Sequence, residues 1–197
     1  MIQSITEENL KEELVAFFHN LEITGLLDYF DTDKLKNSLS TASCALSEDT
    51  GCGYPGSLVV HINLLTALAL RLRKMICATF PIEEETIIKV CTLMHLSKIQ
   101  MYVPNDNQWE IEKRGMNFKF ADLNGKLKFG ERSILNAMNL GIKLSAEEFE
   151  AMKCLDNEKD GVSKFGDSIL TTIIRQANEL AYAIEKERYN KLVKEIS

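Results

Sequence analysis

The segment Leu58-Val-Val-His-Ile-Asn-Leu-Leu-Thr-Ala-Leu-Ala-Leu-Arg-Leu-Arg-Lys-Met-Ile-Cys-Ala-Thr79 decides the fold. Its apolar residues recur at the spacing of one face of an α-helix. The residues predicted to be buried on that face are Leu58, Ile62, Leu65, Leu68, Ala69, Leu72 and Ile76. Pro81 separates it from a second predicted helix, which runs from about Glu83 to Lys98. The inward positions of this second helix are Ile87, Val90, Cys91 and Met94.

Shorter helices are predicted on the N-terminal side of this pair. A capping box, Ser4-x-x-Glu7, begins the first one, and its apolar stripe is Leu10, Leu14, Phe17 and Phe18. Residues 21–40 are predicted as one or two short helices broken near Gly25 and Asp31, and residues 41–56 as a loop of small residues. We therefore expect residues 1–50 to form a helical segment that packs on a single globular unit, residues 51–197.

The pattern changes after residue 100. Trp109-Glu-Ile-Glu-Lys113 and Met116-Asn-Phe-Lys-Phe120 alternate apolar and polar residues around Arg114-Gly115, which predicts a β-hairpin. Helices are predicted from Glu131 to Leu140, from the capping box Ser145-x-x-Glu148 to Cys154, and from Asp167 to Val193. The stripe predicted to be buried on the last helix is Ile169, Ile173, Ala177, Leu180 and Ile184. The fold class is thus predicted to be mainly α, a helical bundle with a small inserted hairpin.

Composition excludes several classes of protein. The chain has 197 residues, of which 45% are hydrophobic and 26% charged, so it is neither disordered nor a disulfide-stapled miniprotein. A net charge of −6 and a pI of about 5.2 exclude non-specific nucleic-acid binding. The 5 cysteines form no C-x-x-C pair, which favours reduced, core-packing thiols and a cytoplasmic location. We expect neither a signal peptide nor a membrane segment.

Two of the 3 histidines are candidate site residues. His61 and His95 each lie on the apolar side of a long predicted helix, where a single histidine is usually a hydrogen-bonded core residue. Two of them on adjacent helices favour a shared site instead. Cys91 lies one helical turn before His95, but no second Cys/His pair at ligand spacing accompanies it to make a zinc site.

Three segments in chain order carry a family resemblance. They are Tyr54-Pro-Gly-Ser-Leu-Val-Val-His61, the helix that ends in His95-Leu-Ser-Lys-Ile99, and Lys126-Leu-Lys-Phe-Gly-Glu-Arg-Ser133. Together they resemble the HD-domain family of metal-dependent phosphohydrolases over roughly residues 51–189. The predicted hairpin is similar to one that some bacterial and phage members insert. The resemblance implies an HD-domain-like helical bundle whose histidines and aspartates hold one or two divalent metals that activate water for phosphate-ester hydrolysis.

This chain departs from the family pattern at most of the metal ligands. His61 and His95 are retained, but four ligand positions are changed: Leu96, Phe129 and Leu155 are apolar, and Asn178 replaces the final aspartate. Leucine and phenylalanine have no lone pair to donate, and asparagine offers only a neutral carbonyl oxygen. Two neutral imidazoles without an anionic partner bind transition metals poorly. We therefore expect a dismantled metal centre and no cofactor.

Three charged residues match family positions that survive this loss. The resemblance places Lys98 beside the substrate phosphate and gives Glu131 and Arg132 as its "E-R" pair. These residues would form a remnant anion pocket that binds a nucleotide or another phosphorylated ligand without cleaving it. The alternative is that Lys98 caps the C-terminal end of its helix and that Arg132 forms a surface ion pair.

The function predicted first is a catalytically inactive HD-domain-like protein that binds a phosphorylated or nucleotide ligand or a protein partner. A second possibility is a metal-dependent phosphohydrolase with a rebuilt site and a divalent metal. Its replacement ligands would come from Glu131, Asp122, Asp156, Asp160 and Glu179. A third is a purely structural domain that binds a partner through apolar surface on the N-terminal helices.

Overall fold

The computed structural model describes residues 5–76, 81–123, 125–156 and 167–196 of the chain. Its α-helices are α1 (Glu7–Ile23), α2 (Thr32–Thr41), α3 (Ser57–Ile76), α4 (Glu84–Met94), α5 (Lys98–Met101), α6 (Gln108–Arg114), α7 (Phe129–Asn139), α8 (Ala146–Lys153) and α9 (Ile169–Ile196). Single 3-10 turns lie at Leu27–Tyr29, Glu48–Thr50 and Cys154–Asp156. The prediction of a mainly α fold with a small antiparallel sheet is confirmed. Within the described ranges, no helix has the length and apolarity that crossing a membrane requires.

Helix α3 is at the centre of the core. It packs against α9, α4 and α1, and its side chains Leu58, Val59, Ile62, Leu65 and Ala69 are fully buried. The inward positions predicted for α4 are also fully buried. Removing apolar surface from water stabilises a fold by about 25 cal/mol per Å². The burial of these side chains is therefore the main contribution to the stability of the bundle. The proposed division of the chain at residue 50 stays a prediction, and α1 shares this same core.

The helix predicted over residues 83–98 is interrupted at its C-terminal end. It ends at Met94, and Lys98 begins the separate helix α5. The interruption is stabilised by Ser133 of α7, whose hydroxyl donates to the Met94 carbonyl at 2.7 Å and accepts from the Ser97 amide at 3.3 Å. Ser97 in turn donates to the Phe129 carbonyl at 3.0 Å. As a result, His95 lies in a buried turn between two helices and not on a regular helical face.

The two-stranded sheet differs from the predicted hairpin in its first strand. Strand β1 (Tyr102–Pro104) pairs antiparallel with β2 (Phe118–Phe120), and Val103 lies opposite Lys119. The prediction of a strand at residues 109–113 is wrong, because these residues belong to α6. Asn107 caps α6 by accepting a hydrogen bond from the Glu110 amide, and Gly115 ends it with φ of +60°. An asparagine cap and a left-handed glycine are local helix signals that outweigh a short alternation.

Two further sequence predictions need correction. Ser4 lies outside the described residues, and the N-cap of α1 is Thr6, whose hydroxyl accepts from the Asn9 amide at 3.2 Å. On α9 the predicted stripe is correct at Ile173 and Ala177, but Ile169 and Leu180 are 36% and 45% exposed. The buried residues of α9 are Leu170, Thr171, Ile173, Ile174, Ala177, Ala181 and Glu185. The capping box at Ser145 is confirmed, with hydrogen bonds in both directions to Glu148.

The loop between α2 and α3 packs directly against α9. Gly51 has φ of +84°, and a Cβ atom built on it would lie 2.2 Å from the Glu185 carbonyl oxygen. Only glycine allows this approach without displacement of one backbone by the other. The contact brings the cysteines of the loop, Cys44 and Cys52, against the same stretch of α9 that faces α3.

Candidate functional site

His61 and His95 meet in the interior of the bundle. Both side chains are fully buried, and their rings pack edge to face with centroids 4.7 Å apart. His61 comes from the first turns of α3 and His95 from the turn after α4. The two histidines that the sequence singled out therefore lie in one place, which we call the histidine cluster.

Asn178 of α9 lies between the two imidazoles. Its Oδ1 atom is 3.1 Å from His61 Nε2 and 3.0 Å from His95 Nε2, so both rings donate to the same carbonyl oxygen. The other ring nitrogen of His61, Nδ1, is 2.9 Å from Glu185 Oε2. His95 Nδ1 is buried and has no hydrogen-bond partner among the described residues. The position that the resemblance assigns to a metal-ligating aspartate is thus part of the cluster, as an amide.

The surroundings of the two rings favour different charge states. Burial lowers the pKa of His61, but the nearby Cys44 sulfur and the Glu185 carboxylate outweigh burial and raise it to about 10. His61 then donates from both nitrogens, to Glu185 and to Asn178. Burial, the Lys98 ammonium and the charge on His61 all keep the pKa of His95 well below its usual range. Burial also raises the pKa of Glu185, an effect that the charge on His61 opposes. We assign a charged His61–Glu185 pair beside a neutral His95.

Lys98 is buried in contact with Cys44 and Tyr182. Its Nζ atom donates to the Cys44 carbonyl at 2.7 Å, to the Tyr182 hydroxyl at 2.6 Å and to the Cys44 sulfur at 3.3 Å. Three contacts match the three N–H groups of an ammonium. The rings of Tyr182, Tyr102 and Phe129 surround the same Nζ at 5.3, 5.9 and 5.7 Å. The ammonium is therefore held by the protein itself in an aromatic enclosure.

The Cys44 sulfur lies beside the histidine cluster. Burial alone would raise the pKa of this thiol, but a hydrogen bond from Cys52 and the positive charges of His61 and Lys98 hold it well below its usual range. The hydrogen bond to Cys44 and burial raise the pKa of Cys52. The backbone is fixed as well, because the Ser57 hydroxyl accepts from the Cys44 amide at 3.0 Å and donates to the Cys52 carbonyl at 2.6 Å. These contacts favour the thiolate form of Cys44 and hold its backbone in place.

The predicted anion pocket of Lys98, Glu131 and Arg132 is occupied by internal contacts. The carboxylate of Glu131 accepts from the Lys128 amide in the first turn of α7. The amides of Gly130 and Glu131 donate to Asp156 at 2.7 and 3.2 Å, so a side chain already occupies this helix N-terminus. Arg132 keeps a buried Nε without a partner among the described residues.

The remaining predicted positions carry apolar side chains that pack within the bundle. Leu96 lines a groove of about 540 Å³ with Leu93, Ile99, Leu35 and other residues of α2 and α7. Phe129 packs edge to face against Tyr102 with ring centroids 5.6 Å apart, and Leu155 packs on the core from the turn after α8. The replacements at these three positions therefore extend the apolar packing, whereas Asn178 alone contacts both histidines.

Sequence reasoning missed three residues that surround the histidine cluster: Cys44, Glu185 and Tyr182. The ring centroid of Tyr182 lies 4.4 Å from that of His61. Asn178, Tyr182 and Glu185 follow the i, i+4, i+7 spacing of one helix face, so a polar stripe on α9 could have revealed two of them. The predicted buried face of α9 includes Leu180 and leaves out Tyr182 and Glu185, so the prediction does not reveal this polar stripe. Cys44 comes from a loop, where residue spacing carries no such signal. The structure brings His95 together with Cys44 and not with Cys91 of the preceding helix α4.

No family model, no curated protein and no solved structure matches this chain. The HD-domain resemblance therefore stays a prediction that rests on the sequence segments quoted above. The arrangement of His61, His95 and Asn178 is compatible with it. What the site can do chemically has to be argued from its own contacts.

Proposed function

We propose that this chain is a non-catalytic HD-domain-like protein that acts by binding and not by turnover. The observation that supports this most strongly is the set of contacts made by Lys98 and Asn178. The Lys98 ammonium donates to Cys44 and Tyr182, and the Asn178 amide oxygen accepts from both histidines. Groups that would hold phosphate or a catalytic metal are instead hydrogen-bonded to each other in the protein interior.

The chemistry of hydrolysis argues in the same direction. A hydrolytic centre needs a metal that keeps an open position for water and carboxylates that offset its charge. Asn178 is neutral, and Leu96 carries no ligand atom and lines a groove elsewhere. Rebuilding such a centre would require another carboxylate on the side of the rings that faces Asn178.

The carboxylates considered for a rebuilt site give it little support. Asp156 and Glu131 are engaged at the first turn of α7, and Asp122 and Glu179 are exposed. Asp160 lies outside the described residues. Glu185 does lie beside a histidine, but it contacts Nδ1 of His61, whereas Nε2 of that ring faces Asn178. Glu185 is therefore on the opposite side of the ring from the position where a replacement carboxylate would be needed. A metal-dependent phosphohydrolase is therefore the weaker candidate.

Of the predicted anion site, Arg132 is the residue best able to contact a phosphorylated ligand. Arg132 is only partly buried, whereas Lys98 is buried and its donors are all used. A nucleotide or phosphorylated ligand would therefore be bound through Arg132 and not through Lys98. A protein partner is the other occupant that the proposal allows.

Hydrolysis assays test the absence of turnover. The chain would be incubated with nucleoside phosphates and a chromogenic phosphate ester in the presence of Mg²⁺, Mn²⁺, Co²⁺, Ni²⁺ or Zn²⁺ in turn. We expect phosphate release no faster than that of a His61→Ala/His95→Ala double variant. Release that EDTA abolishes and that the double variant lacks would contradict the proposal.

Thermal unfolding identifies the ligand class. A ligand that binds the native state at one hundred times its Kd stabilises it by about 2.7 kcal/mol, which raises Tm measurably. ATP and inorganic phosphate are the probes, and Arg132→Ala is the diagnostic variant. A Tm increase that Arg132→Ala removes assigns a phosphorylated ligand to this site. An increase that persists places the ligand elsewhere, and no increase with either probe favours a protein partner.

A further inference from the structure

Three potential metal ligands converge in the histidine cluster. One ring nitrogen of His61, one of His95 and the sulfur of Cys44 all lie within 4.8 Å of one another. All three side chains are buried, with at most 1% of Cys44 exposed. They come from three elements that are far apart in sequence: the loop before α3, α3 itself and the turn after α4. Local spacing therefore does not explain why these atoms meet.

The separations suit a tetrahedral ion. With Zn–N of about 2.0–2.1 Å and Zn–S of about 2.3 Å, neighbouring ligands of a tetrahedral site lie about 3.3–3.6 Å apart. Asn178 Oδ1 is 3.1 and 3.0 Å from the two histidine Nε2 atoms, close to such an edge. The Cys44, His61 and His95 ligand atoms, which lie within 4.8 Å of one another, would have to draw together to these distances when the ion binds. Asn178 is in place to supply a neutral fourth ligand.

The pairing of His61 supports an ion at this place. If both Nε2 atoms are the ligands, both Nδ1 atoms point away from the ion, and that of His95 has no hydrogen-bond partner among the described residues. The Nδ1 atom of His61 faces the Glu185 carboxylate at 2.9 Å. A carboxylate on the distal nitrogen of a ligating histidine is the usual partner that orients the ring and fixes its tautomer.

We propose that Cys44, His61 and His95 bind a single zinc-type metal ion, with Asn178 as a neutral fourth ligand. The ligand set of one thiolate and two imidazoles selects a borderline-soft ion such as Zn²⁺, or Co²⁺ as its substitute, over Mg²⁺ or Mn²⁺. Lys98 donates a hydrogen bond to the Cys44 sulfur but does not itself coordinate the ion. The site goes beyond the proposed function, because a thiolate takes the place of the aspartates on which an HD-type hydrolytic centre depends.

The role of this ion is structural. It would tie the loop before α3 to α3 and to the turn after α4, three segments that otherwise meet through hydrogen bonds. Its cysteine and histidine ligands are buried, and Asn178 occupies the position that a reactive water would need. We therefore expect the bound ion to raise Tm and not to support hydrolysis.

Metal analysis and cobalt spectroscopy test the site. The chain purified without chelator would be analysed for metal content and, after removal of metal, titrated with Co²⁺. We expect about one zinc-type ion per chain and a sulfur-to-cobalt charge-transfer band in the near ultraviolet. Cys44→Ser should abolish that band and weaken Co²⁺ binding at least tenfold. Even mutation of a residue that only hydrogen-bonds to a metal ligand typically lowers the metal affinity 10–100-fold. The control Cys154→Ser replaces a partly buried thiol outside the cluster and should leave both unchanged.

Several outcomes would overturn the inference. They are absence of both co-purified metal and a cobalt band in the wild-type chain, or a band that Cys44→Ser leaves intact. If Cys44→Ser fails to fold, the wild-type titration still decides, because the band requires sulfur ligation. Metal binding without hydrolysis supports both proposals. Metal-dependent hydrolysis would refute only the proposal that the chain is non-catalytic. Failure of the wild-type chain to bind metal would refute only the proposed metal site.

Discussion

Replacing Lys98 with methionine tests whether its ammonium is structural. The side chain is 4% exposed, and Nζ makes two short hydrogen bonds, to the Cys44 carbonyl and the Tyr182 hydroxyl. Hydrogen bonds from a charged donor contribute about 1.5–3 kcal/mol each, so the pair accounts for about 3–6 kcal/mol. Methionine keeps the apolar stem packed and removes the cost of burying a charge. We expect Lys98→Met to lower the free energy of unfolding by about 3 kcal/mol.

Urea and thermal unfolding measure this effect. For a chain of this size about 3 kcal/mol corresponds to a fall in Tm of roughly 6–12 °C. Lys11→Met is the matched control, because Lys11 is exposed on α1, and it should leave the stability within about 0.5 kcal/mol of wild type. Tyr182→Phe removes one acceptor and should cost about 1–2 kcal/mol.

The double variant Lys98→Met/Tyr182→Phe completes a thermodynamic cycle. Because the two groups share one hydrogen bond, the combined loss should be smaller than the sum of the single losses. If the two single losses were additive, the ammonium would not be held by the Tyr182 hydroxyl. Lys98 would then be available for a phosphorylated ligand, and the observation behind the proposed function would be lost.

Three further predictions follow from the same contacts. In metal-free protein, the raised pKa of His61 stabilises the fold fully below pH 6.5 and loses this contribution as the pH rises to about 10. The stability difference between wild type and Glu185→Gln, measured by urea unfolding, should therefore narrow over that range; a pH-independent difference would contradict the charged pair. Asn178→Asp places an anion between the imidazoles, so the variant should bind Zn²⁺ at least tenfold more tightly than wild type. Zn²⁺ should therefore raise the Tm of the variant further than it raises that of wild type. An equal rise in both proteins would show that Asn178 is not a ligand. Gly51→Ala should cost more than about 3 kcal/mol, because its Cβ meets the Glu185 carbonyl at 2.2 Å, whereas Gly25→Ala, with φ of +64° and open space, should cost only about 1–2 kcal/mol. Equal costs at the two glycines would show that the loop is not packed on α9 in this way.

The bundle was predictable because burial on α3 and α4 follows helical periodicity. Their inward positions, from Leu58 to Met94, are repeated at spacings that only a helix places on one face. The sheet was predicted less well, since the alternation around Trp109 spans few residues and competes with the Asn107 cap and Gly115. Short segments are decided by such local capping interactions and not by periodicity.

The candidate site was predictable in part. His61 and His95 stood out as polar residues on apolar faces, and the family resemblance identified Asn178 as a third member. Cys44 could not be found this way, because its approach to the histidines depends on the packing of a loop against α9 at Gly51. Glu185 was concealed by the placement of the stripe on α9. Tertiary contacts between distant segments leave no periodic signal in the sequence.

Histidine side-chain NMR of the metal-free chain tests most directly whether the buried polar groups satisfy one another. With only 3 histidines, the ring ¹⁵N signals can be assigned by single substitutions. We predict that at neutral pH His61 carries protons on both nitrogens and keeps them to about pH 10, while His95 stays neutral with its proton on Nε2. A His61 ring that loses its proton near pH 6.5, or a charged His95, would contradict the arrangement on which the proposed function rests.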